Sequence, residues 1–273
     1  MRVPFIKMHG LGNDFIVLDA RETALPPMTN GLARALADRR EGIGCDQLIL
    51  LEESDSHAFK MRIFNSDGGE VEACGNASRA VALLHGERAQ IETAGGAITL
   101  EPAEGGASVD MGAPEFAWDK IPLAFAMDTL NMPVSWSDES GDLDAPMAVN
   151  VGNPHVVFFT KDTNTVKLGQ IGPEIENDPL FTEGINVNVA SVVGDNHLRL
   201  NVWERGAGLT RACGTGACAT AIAAMKRGLV GRSATVSLPG GDLVIEWRDD
   251  NSILMTGPAT EAYRGSFEWD DFA

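Results

Sequence analysis

Two cysteines open the same local pattern at two places in the chain. Cys213 stands in Arg211-Ala212-Cys213-Gly214-Thr215-Gly216-Ala217-Cys218-Ala219, ahead of an Ala-rich run to Met225 closed by Lys226-Arg227-Gly228. Cys74 stands in Glu72-Ala73-Cys74-Gly75-Asn76-Ala77-Ser78-Arg79-Ala80, with helix-like residues to His85 and a stop at Gly86. Thr215 is the candidate N-cap of the second helix, and glycine behind basic residues is a C-terminal stop. Each cysteine is therefore expected at a helix N-terminus, where unpaired N–H groups and the positive dipole end favour a thiolate and attract an anion. Two such thiols can do what one cannot. A thiolate removes a proton from a carbon beside a carboxylate, and the opposite thiol returns a proton to the other face, inverting the stereocentre. Backbone donors would hold the carboxylate as it gains enolate-like charge. Two ionised sulfurs would repel, so the working state is one thiolate and one thiol, titrating as a pair.

Other uses of these thiols are disfavoured. Neither a C-x-x-C nor an H-x-x-x-H spacing occurs, which argues against structural zinc and against a redox dithiol. Cys45 and Cys218 read as small core residues, Cys218 facing the body of its helix. A second group of residues is unusually polar for strand ends and loops: Asn13, Asn65, Asn153, Asn186, Glu204 and Arg205. Asparagine in a loop is ordinarily turn chemistry. Taken together, these six fit a second pole of recognition in which Arg205 clamps a carboxylate and Glu204 and Asn carbonyls hold an ammonium. His155, after Gly152-Asn153-Pro154, is either a polar neighbour of that pole or a satisfied structural histidine. His57, His85 and His197 read as surface residues.

The elements that must carry these residues recur. Phe5–His9 and Phe15–Leu18 read as strands around a turn at Gly10–Asp14, and Asn30–Arg40 as an amphipathic helix. Leu48–Leu51 and Lys60–Phe64 read as strands, the latter delivering Asn65 nine residues before Cys74. Gln90–Thr93, Ile98–Glu101 and Ser108–Met111 follow. In the second half, Arg199–Trp203 delivers Glu204 nine residues before Cys213. Gly152-Asn153 echoes Gly12-Asn13, Gly184-Ile185 echoes Gly42-Ile43, and Gly240-Gly241 before Leu243–Glu246 echoes Gly95-Gly96 before Ile98–Glu101. The offsets drift slowly from 139 for the cysteines to 145 for the Gly-Gly pairs. An ordered set of landmarks like this predicts two similar domains. The boundary falls near Pro114–Pro122, giving 1–118 and 119–262, with 263–273 the candidate completion of the first. Ligands commonly bind where such halves meet, so both helix N-termini are expected to face one interdomain cleft.

Composition narrows the class further. The chain has 273 residues, 44% of them hydrophobic, enough for real cores in one large or two ordinary domains. No segment has the roughly 18 consecutive apolar residues of a membrane span. The N-terminus lacks the apolar stretch of a signal peptide. Four cysteines are too few for a disulfide scaffold, which predicts reduced thiols and a cytoplasmic setting. A formal charge of −18 repels nucleic acid and anionic lipid. Glu52-Glu53-Ser54-Asp55 and Asp138-Glu139 read as solvated loops.

These motifs resemble the diaminopimelate epimerase family. The resemblance is carried by Lys7-Met8-His9-Gly10-Leu11-Gly12-Asn13-Asp14-Phe15, Phe64-Asn65-Ser66-Asp67-Gly68, Ala73-Cys74-Gly75-Asn76, Gly152-Asn153-Pro154-His155, Glu204-Arg205-Gly206-Ala207-Gly208 and Ala212-Cys213-Gly214-Thr215-Gly216. It implies an α/β (α+β) fold of two pseudo-symmetric domains, each a mostly antiparallel sheet rolled around a central helix, commonly paired as a homodimer. It implies an isomerase that interconverts LL- and meso-diaminopimelate, in lysine and peptidoglycan precursor biosynthesis, with no cofactor, pyridoxal phosphate and metal included. By resemblance Cys74 takes the LL proton and Cys213 the meso one. Gly75, Asn76, Gly214 and Thr215 offer N–H groups to the reacting carboxylate. Asn13, Asn65, Asn153, Asn186, Glu204 and Arg205 hold the distal end, with Gln47 nearby. Ala77-Ser78-Arg79-Ala80 departs from the family's more usual Gly-Ala-Arg-Cys but leaves the reacting positions intact. The nearest rival is a proline-racemase-like enzyme, which shares the two-cysteine logic but needs no distal pole. A non-catalytic relative would not need both cysteines. A thiol redox sensor would respond to oxidation state.

Overall fold

The computed structural model describes residues 1–72, 74–103, 106–138 and 141–272. The sequence expectations that touch Ala73 and Glu139 lie outside the described residues. In chain order the elements are β1 (Arg2–Gly10), β2 (Asn13–Asp19), α1 (Asn30–Ala37), β3 (Gln47–Glu52), β4 (Lys60–Asn65), β5 (Glu70–Val71), α2 (Gly75–His85), β6 (Ala89–Thr93), β7 (Gly96–Ala103) and β8 (Gly106–Asp110). They continue as β9 (Ser135–Asp138), β10 (Gly141–Asp144), β11 (Met147–Asn150), β12 (Pro154–Phe159), α3 (Leu168–Glu176), β13 (Asn186–Gly194), β14 (His197–Glu204), β15 (Gly208–Thr210) and α4 (Gly214–Lys226). Last come β16 (Ser233–Leu238), β17 (Gly241–Trp247), β18 (Ile253–Gly257) and β19 (Thr260–Glu268). Two compact units result, Met1–Val109 with Thr256–Ala273, and Asp110–Met255.

The first unit is built on a mixed sheet. β1 pairs antiparallel with both β2 and β19, β2 runs parallel to β3, and β3 is antiparallel to β4. β4 then pairs antiparallel with β5 and parallel with β6, and β6, β7 and β8 form a meander. The β1–β2 loop is the two-residue Leu11-Gly12, with φ of 58° and 90° at the two positions. Positive φ at both central residues matches the twist of a hairpin. Leucine is unusual there, and its side chain is buried. Around α2, every residue from Asn76 to Ala82 is buried, because the small Ala77, Ala80 and Ala82 let strands close on all sides of it. The helix stops at Gly86 in the left-handed region (φ 79°), as its sequence predicts.

The second unit repeats the plan. β11 is antiparallel to β12, β12 parallel to β13, and β13 antiparallel to β14. β14 pairs antiparallel with β15 and parallel with β16, and β16 is antiparallel to β17. α4 takes the central place of α2, with ten buried residues, and Gly228 follows it with φ 67°.

Two helix boundaries differ from expectation. α1 ends at Ala37 instead of reaching Arg40, because Asp38 is extended and its carboxylate caps the N–H groups of Arg40 and Glu41 at 2.7 and 2.8 Å. Thr215 is not the cap of α4. Cys213 is, with extended φ/ψ of −124° and 108°, and its sulfur accepts the Gly216 N–H. Thr215 is already inside the first turn.

Candidate active site

In the first unit Cys74 is the N-cap of α2, extended at φ −149° and ψ 111°. It stands half-buried, and its thiol faces the Asn13 Oδ1 at 3.8 Å. The same oxygen accepts a hydrogen bond from Asn76 Nδ2 at 3.2 Å. Both amides are oriented by charged groups. Arg79 Nη2 donates to Asn76 Oδ1 at 2.7 Å, and Asn13 Nδ2 donates to Asp46 Oδ2 at 3.2 Å. Arg79 is fully buried, whereas Asp46 sits in an ionic cluster with Arg39, Asp14 and Lys7. Arg39 bridges the Asp14 and Asp46 carboxylates at 2.5 and 2.7 Å, and Lys7 contacts Asp14 and the Gly44 carbonyl. Burial works against ionisation of Asp14, but Arg39 and Lys7 outweigh it and hold its carboxyl well below the usual range.

Two further residues of this unit are paired. Gln47 opens β3 and Asn65 closes β4, opposite one another in register, and Gln47 Nε2 donates to Asn65 Oδ1 at 2.9 Å. The Gln47 Oε1 is buried and has no hydrogen-bond partner among the described residues. Such an atom is an acceptor left for a ligand's donor or a water. Gly75 and Asn76 form the first turn of α2, whose N–H groups have no acceptor within the helix.

In the second unit Cys213 caps α4 and is 3% exposed. Its sulfur lies 3.3 Å from the Gly216 nitrogen and 3.5 Å from the Thr215 hydroxyl. Burial, reinforced by the Glu204 charge, pushes this thiol well above the ordinary value despite those two hydrogen bonds. Cys213 therefore stands as a thiol. Glu204 closes β14, as Asn65 closes β4, and its Oε1 accepts the Thr210 hydroxyl at 2.5 Å.

Three of the distal-end candidates, Asn153, Asn186 and Arg205, lie in one part of the second unit. Asn186 opens β13, as Gln47 opens β3; its Nδ2 donates to the Pro154 carbonyl at 2.8 Å and its Oδ1 accepts the Arg205 N–H at 3.0 Å. Asn186 thus holds the backbone of Arg205. The Arg205 side chain is exposed, with Nη1 on the Glu183 carbonyl at 2.8 Å, and it forms no ion pair among the described residues. His155 is wholly buried and pairs with Asn153 Oδ1 through Nε2 at 2.8 Å. Burial lowers its pKa to about 3, with the Arg205 charge pushing the same way, so it is neutral.

The structure thus gathers Asn13, Cys74 and Asn76 into one network and Gln47 with Asn65 into another. It gathers Asn153, Asn186 and Arg205 around His155, and Thr215 against Cys213, with Gly214 opening α4. Cys45 and Cys218 are buried, and burial pushes the Cys45 thiol up to about 12. His57, His85 and His197 are half-buried, more than surface residues would be, and the His85 ring stands edge-on to Phe59 at 5.1 Å. Among the residues of these networks that escape the sequence reading are Asp46, Arg39 and Arg79, and with them Asn188, whose Nδ2 lies 3.0 Å from His155 Nδ1. Asn188 had a signal, since Asn186 and Asn188 share one face of an otherwise apolar strand.

Comparison with known proteins agrees with this geometry. The family model described as diaminopimelate epimerase matches residues 5–117 and 147–261. A diaminopimelate epimerase from Erythrobacter litoralis is 69% identical over 273 residues, covering 100% of both chains. One from Sphingopyxis alaskensis is 60% identical over 268 residues, covering 98% of each. Among solved structures, a PhzF-family phenazine biosynthesis protein from Bacillus anthracis matches over 98% of this chain and 99% of that one, with a TM-score of 0.67 at 14% identity, a likeness of fold. On the match across both repeats and on its full-length relatives, the chain belongs to the diaminopimelate epimerase family.

Proposed function

We propose that this protein interconverts LL- and meso-diaminopimelate by a two-base reaction in which Cys74 and Cys213 serve opposite faces of one α-carbon. The observation that carries the reading is the equivalence of the two cysteines. Each is the N-cap of the central, buried helix of its unit, beside first-turn N–H groups suited to a carboxylate. Their surroundings differ in burial. Cys213, buried and held as a thiol, is the proton donor of the resting enzyme. Cys74, half-buried, takes the part of the base in the LL to meso direction, as the family resemblance implies.

In that direction the Cys74 thiolate takes the α-proton, the N–H groups hold the carboxylate as charge moves onto it, and the Cys213 S–H delivers its proton to the other face. The reverse direction exchanges the roles. The chain's own groups supply the acid, the base and the electrostatic stabilisation, so no cofactor is required. At the far end of the substrate, Arg205 pairs with the distal carboxylate, while Glu204 and the open Gln47 Oε1 receive the distal ammonium. The family's place in lysine and peptidoglycan precursor synthesis implies a cytoplasmic enzyme. No described helix is long and apolar enough to cross a membrane. A homodimer is supported by β19, exposed from Thr260 to Arg264 with Tyr263 51% exposed, a sheet surface able to bury against a second copy.

The test is proton exchange by NMR in deuterated buffer. Diaminopimelate of either configuration should gain deuterium at the α-carbon and equilibrate, unaffected by exhaustive chelation. Racemisation of proline as fast as diaminopimelate would overturn the distal-end reading in favour of a proline-racemase-like one.

A further inference from the structure

The two units differ at a place where their shared fold does not ask them to. In the first unit Phe15 of β2 lies beside Gln47 of β3 in parallel register; in the second, His155 of β12 lies beside Asn186 of β13. Two residues further along each partner strand stand Ile49 and Asn188. Phe15, Ile49, His155 and Asn188 are all 0% exposed. Where the first unit packs an apolar pair, the second buries an imidazole and an amide. A core position that accepts Phe and Ile in one copy of the repeat has no packing need for His and Asn in the other, and buried polar groups cost stability unless hydrogen-bonded.

The hydrogen bonds of this pair have only one consistent polarity. Asn188 Nδ2 lies 3.0 Å from the Val156 carbonyl and 3.4 Å from the Asn186 carbonyl, both acceptors only. The amide nitrogen is therefore the atom at that end. The same nitrogen lies 3.0 Å from His155 Nδ1, which must then accept. In a neutral ring the proton is left on Nε2, which donates to Asn153 Oδ1 at 2.8 Å. With its oxygen engaged, Asn153 keeps both amide hydrogens, and its Nδ2 makes no hydrogen bond among the described residues. The backbone of β12 and β13 thus dictates, through two buried side chains, which end of Asn153 is presented.

We propose that Asn188 is a positioning residue that fixes the Nε2–H tautomer of His155 and so locks Asn153 as a donor toward an anionic group of the substrate. This rests on the assignment of Asn153 to the substrate's distal pole, where a carboxylate is the group an amide donor fits. The lock also selects: a substrate carrying an ammonium at that point would meet N–H instead of C=O. The Asn188 Oδ1 is buried without a partner and would lie 2.8 Å from a Cβ at Gly216, so the same residue abuts the first turn of α4.

The test has two arms. Protein labelled with nitrogen-15 in histidine is observed by long-range proton–nitrogen correlation, the His155 ring being assigned by its absence in His155→Gln. The wild type should show the Nε2–H tautomer at neutral pH; an Nδ1–H ring or an imidazolium would overturn the proposal without reference to catalysis. The second arm uses Asn188→Leu, close in volume, which removes the donor that Nδ1 accepts. The ring should then lose its single tautomer, and KM for diaminopimelate should rise about 10-fold, the lower end of the worth of one hydrogen bond to a charged group, with kcat much less affected. A lost tautomer preference with unchanged KM would overturn Asn153's role as donor to the substrate while leaving the tautomer assignment standing. A fall in kcat and kcat/KM with KM and tautomer unchanged would show a merely structural role and also overturn the proposal. If Asn188→Leu does not fold, the same measurements on Asn188→Ala decide, with a mixed tautomer and raised KM expected.

Discussion

The two halves of this chain solve the same problem with different means. Each orients an asparagine, Asn13 at the head of β2 or Asn153 just before β12, and each places a cysteine at the N-cap of its central helix. In the first unit formal charges orient the amides: Asp46 receives Asn13, and Arg79 fixes Asn76. Much of that cluster is open to water, which stabilises the charges and weakens their interactions. In the second unit the corresponding place is closed, and orientation is passed through a neutral imidazole and an amide. An ion there would pay the full desolvation cost. The cysteines follow the same division. Cys213 is buried, bonded to its own helix and held protonated, while Cys74 is half-buried and makes no cap bond to its helix. Repetition supplied the scaffold; the local dielectric sets what each copy can do with it.

The largest expected effect removes either thiol. Cys74→Ala and Cys213→Ala should each abolish epimerisation, a loss beyond the roughly 10²- to 10⁴-fold of one general acid or base, since neither remaining group can serve both faces. The comparison predicts more. With Cys213→Ala, exchange of the LL α-proton into solvent through Cys74 should persist at a reduced rate without inversion, and with Cys74→Ala that exchange should vanish. Turnover near wild type in either variant defeats the two-base assignment. Iodoacetamide should alkylate Cys74 well before Cys213 in the free enzyme, and mass spectrometry of the labelled peptides checks the order.

Next in size is Gly216→Ala. The added methyl would stand 2.8 Å from Asn188 Oδ1, 3.1 Å from Val202 Cγ2 and 3.2 Å from Cys213 Sγ. Overpacking of this kind typically costs about 1–3 kcal/mol, and here it displaces the Cys213 sulfur as well. We expect a lower Tm together with a kcat loss. Ala77, fully buried, stands at the corresponding third position of α2, so Ala77→Gly in the first unit should cost helix propensity of about 1 kcal/mol and a small cavity while leaving the Cys74 sulfur in place. Equal kcat losses in both variants would remove the asymmetry.

Arg205 follows. Its guanidinium is exposed in the free protein, so removing it leaves no buried partner unpaired there. Arg205→Ala should raise KM for diaminopimelate about 10- to 100-fold through the lost charge-assisted contacts. Arg205→Lys should recover little of that, because an ammonium cannot reproduce the planar fork. Initial rates over a range of substrate concentration decide, and an unchanged KM in Arg205→Ala would remove Arg205 from the distal pole.

Much of this architecture is legible in the chain. The strands carrying Asn13, Asn65, Asn153 and Glu204 alternate or form short apolar runs, and the glycine stops of α2 and α4 mark their ends. What escaped has physical reasons. α3 contains Pro173 and two glycines and so carries no helical signal; Gly172 is there because a Cβ would stand 2.6 Å from the Trp203 ring. β19 is exposed along most of its length and so lacks the buried alternation that marks a strand. Thr215 misleads because hydroxyl caps are the preferred ones, while here a sulfur does the capping. The cysteines and the polar loop residues are readable as a set, because their types do not suit a core. The positioning residues are harder: Arg79 looks like an ordinary helix residue and Asp46 like a surface charge. Asn188 acquires meaning only when the parallel pairing of β12 and β13 sets its strand beside His155.

The smallest expected effect concerns acid stability, and it separates the two units most directly. His155 has its pKa lowered to about 3 by burial, against an ordinary value near 6.5 in the unfolded chain. The unfolded state therefore binds a proton that the folded state refuses between those values. Stability contributed by the neutral ring is complete above about pH 6.5 and falls by about 1.4 kcal/mol per pH unit below it, until the folded ring itself titrates. Asp14 in the first unit, held ionised by Arg39 and Lys7, contributes stability that is complete above the ordinary carboxylate range and is lost only below it. Between pH 6 and 5, acid should therefore loosen the second unit and spare the first. Replacing the buried polar pair by the residues of the first unit, His155→Phe with Asn188→Ile, removes the group responsible. Apolar replacement of a buried polar pair is often neutral or stabilising, so the double variant should fold. Its urea midpoint should be nearly flat from pH 7 to 5, where that of the wild type declines. Its KM should rise, because nothing then holds Asn153. A wild-type midpoint that is equally flat over that interval would mean that His155 titrates alike in both states, and the contrast between a charged and a neutral way of fixing an amide would lose its thermodynamic half.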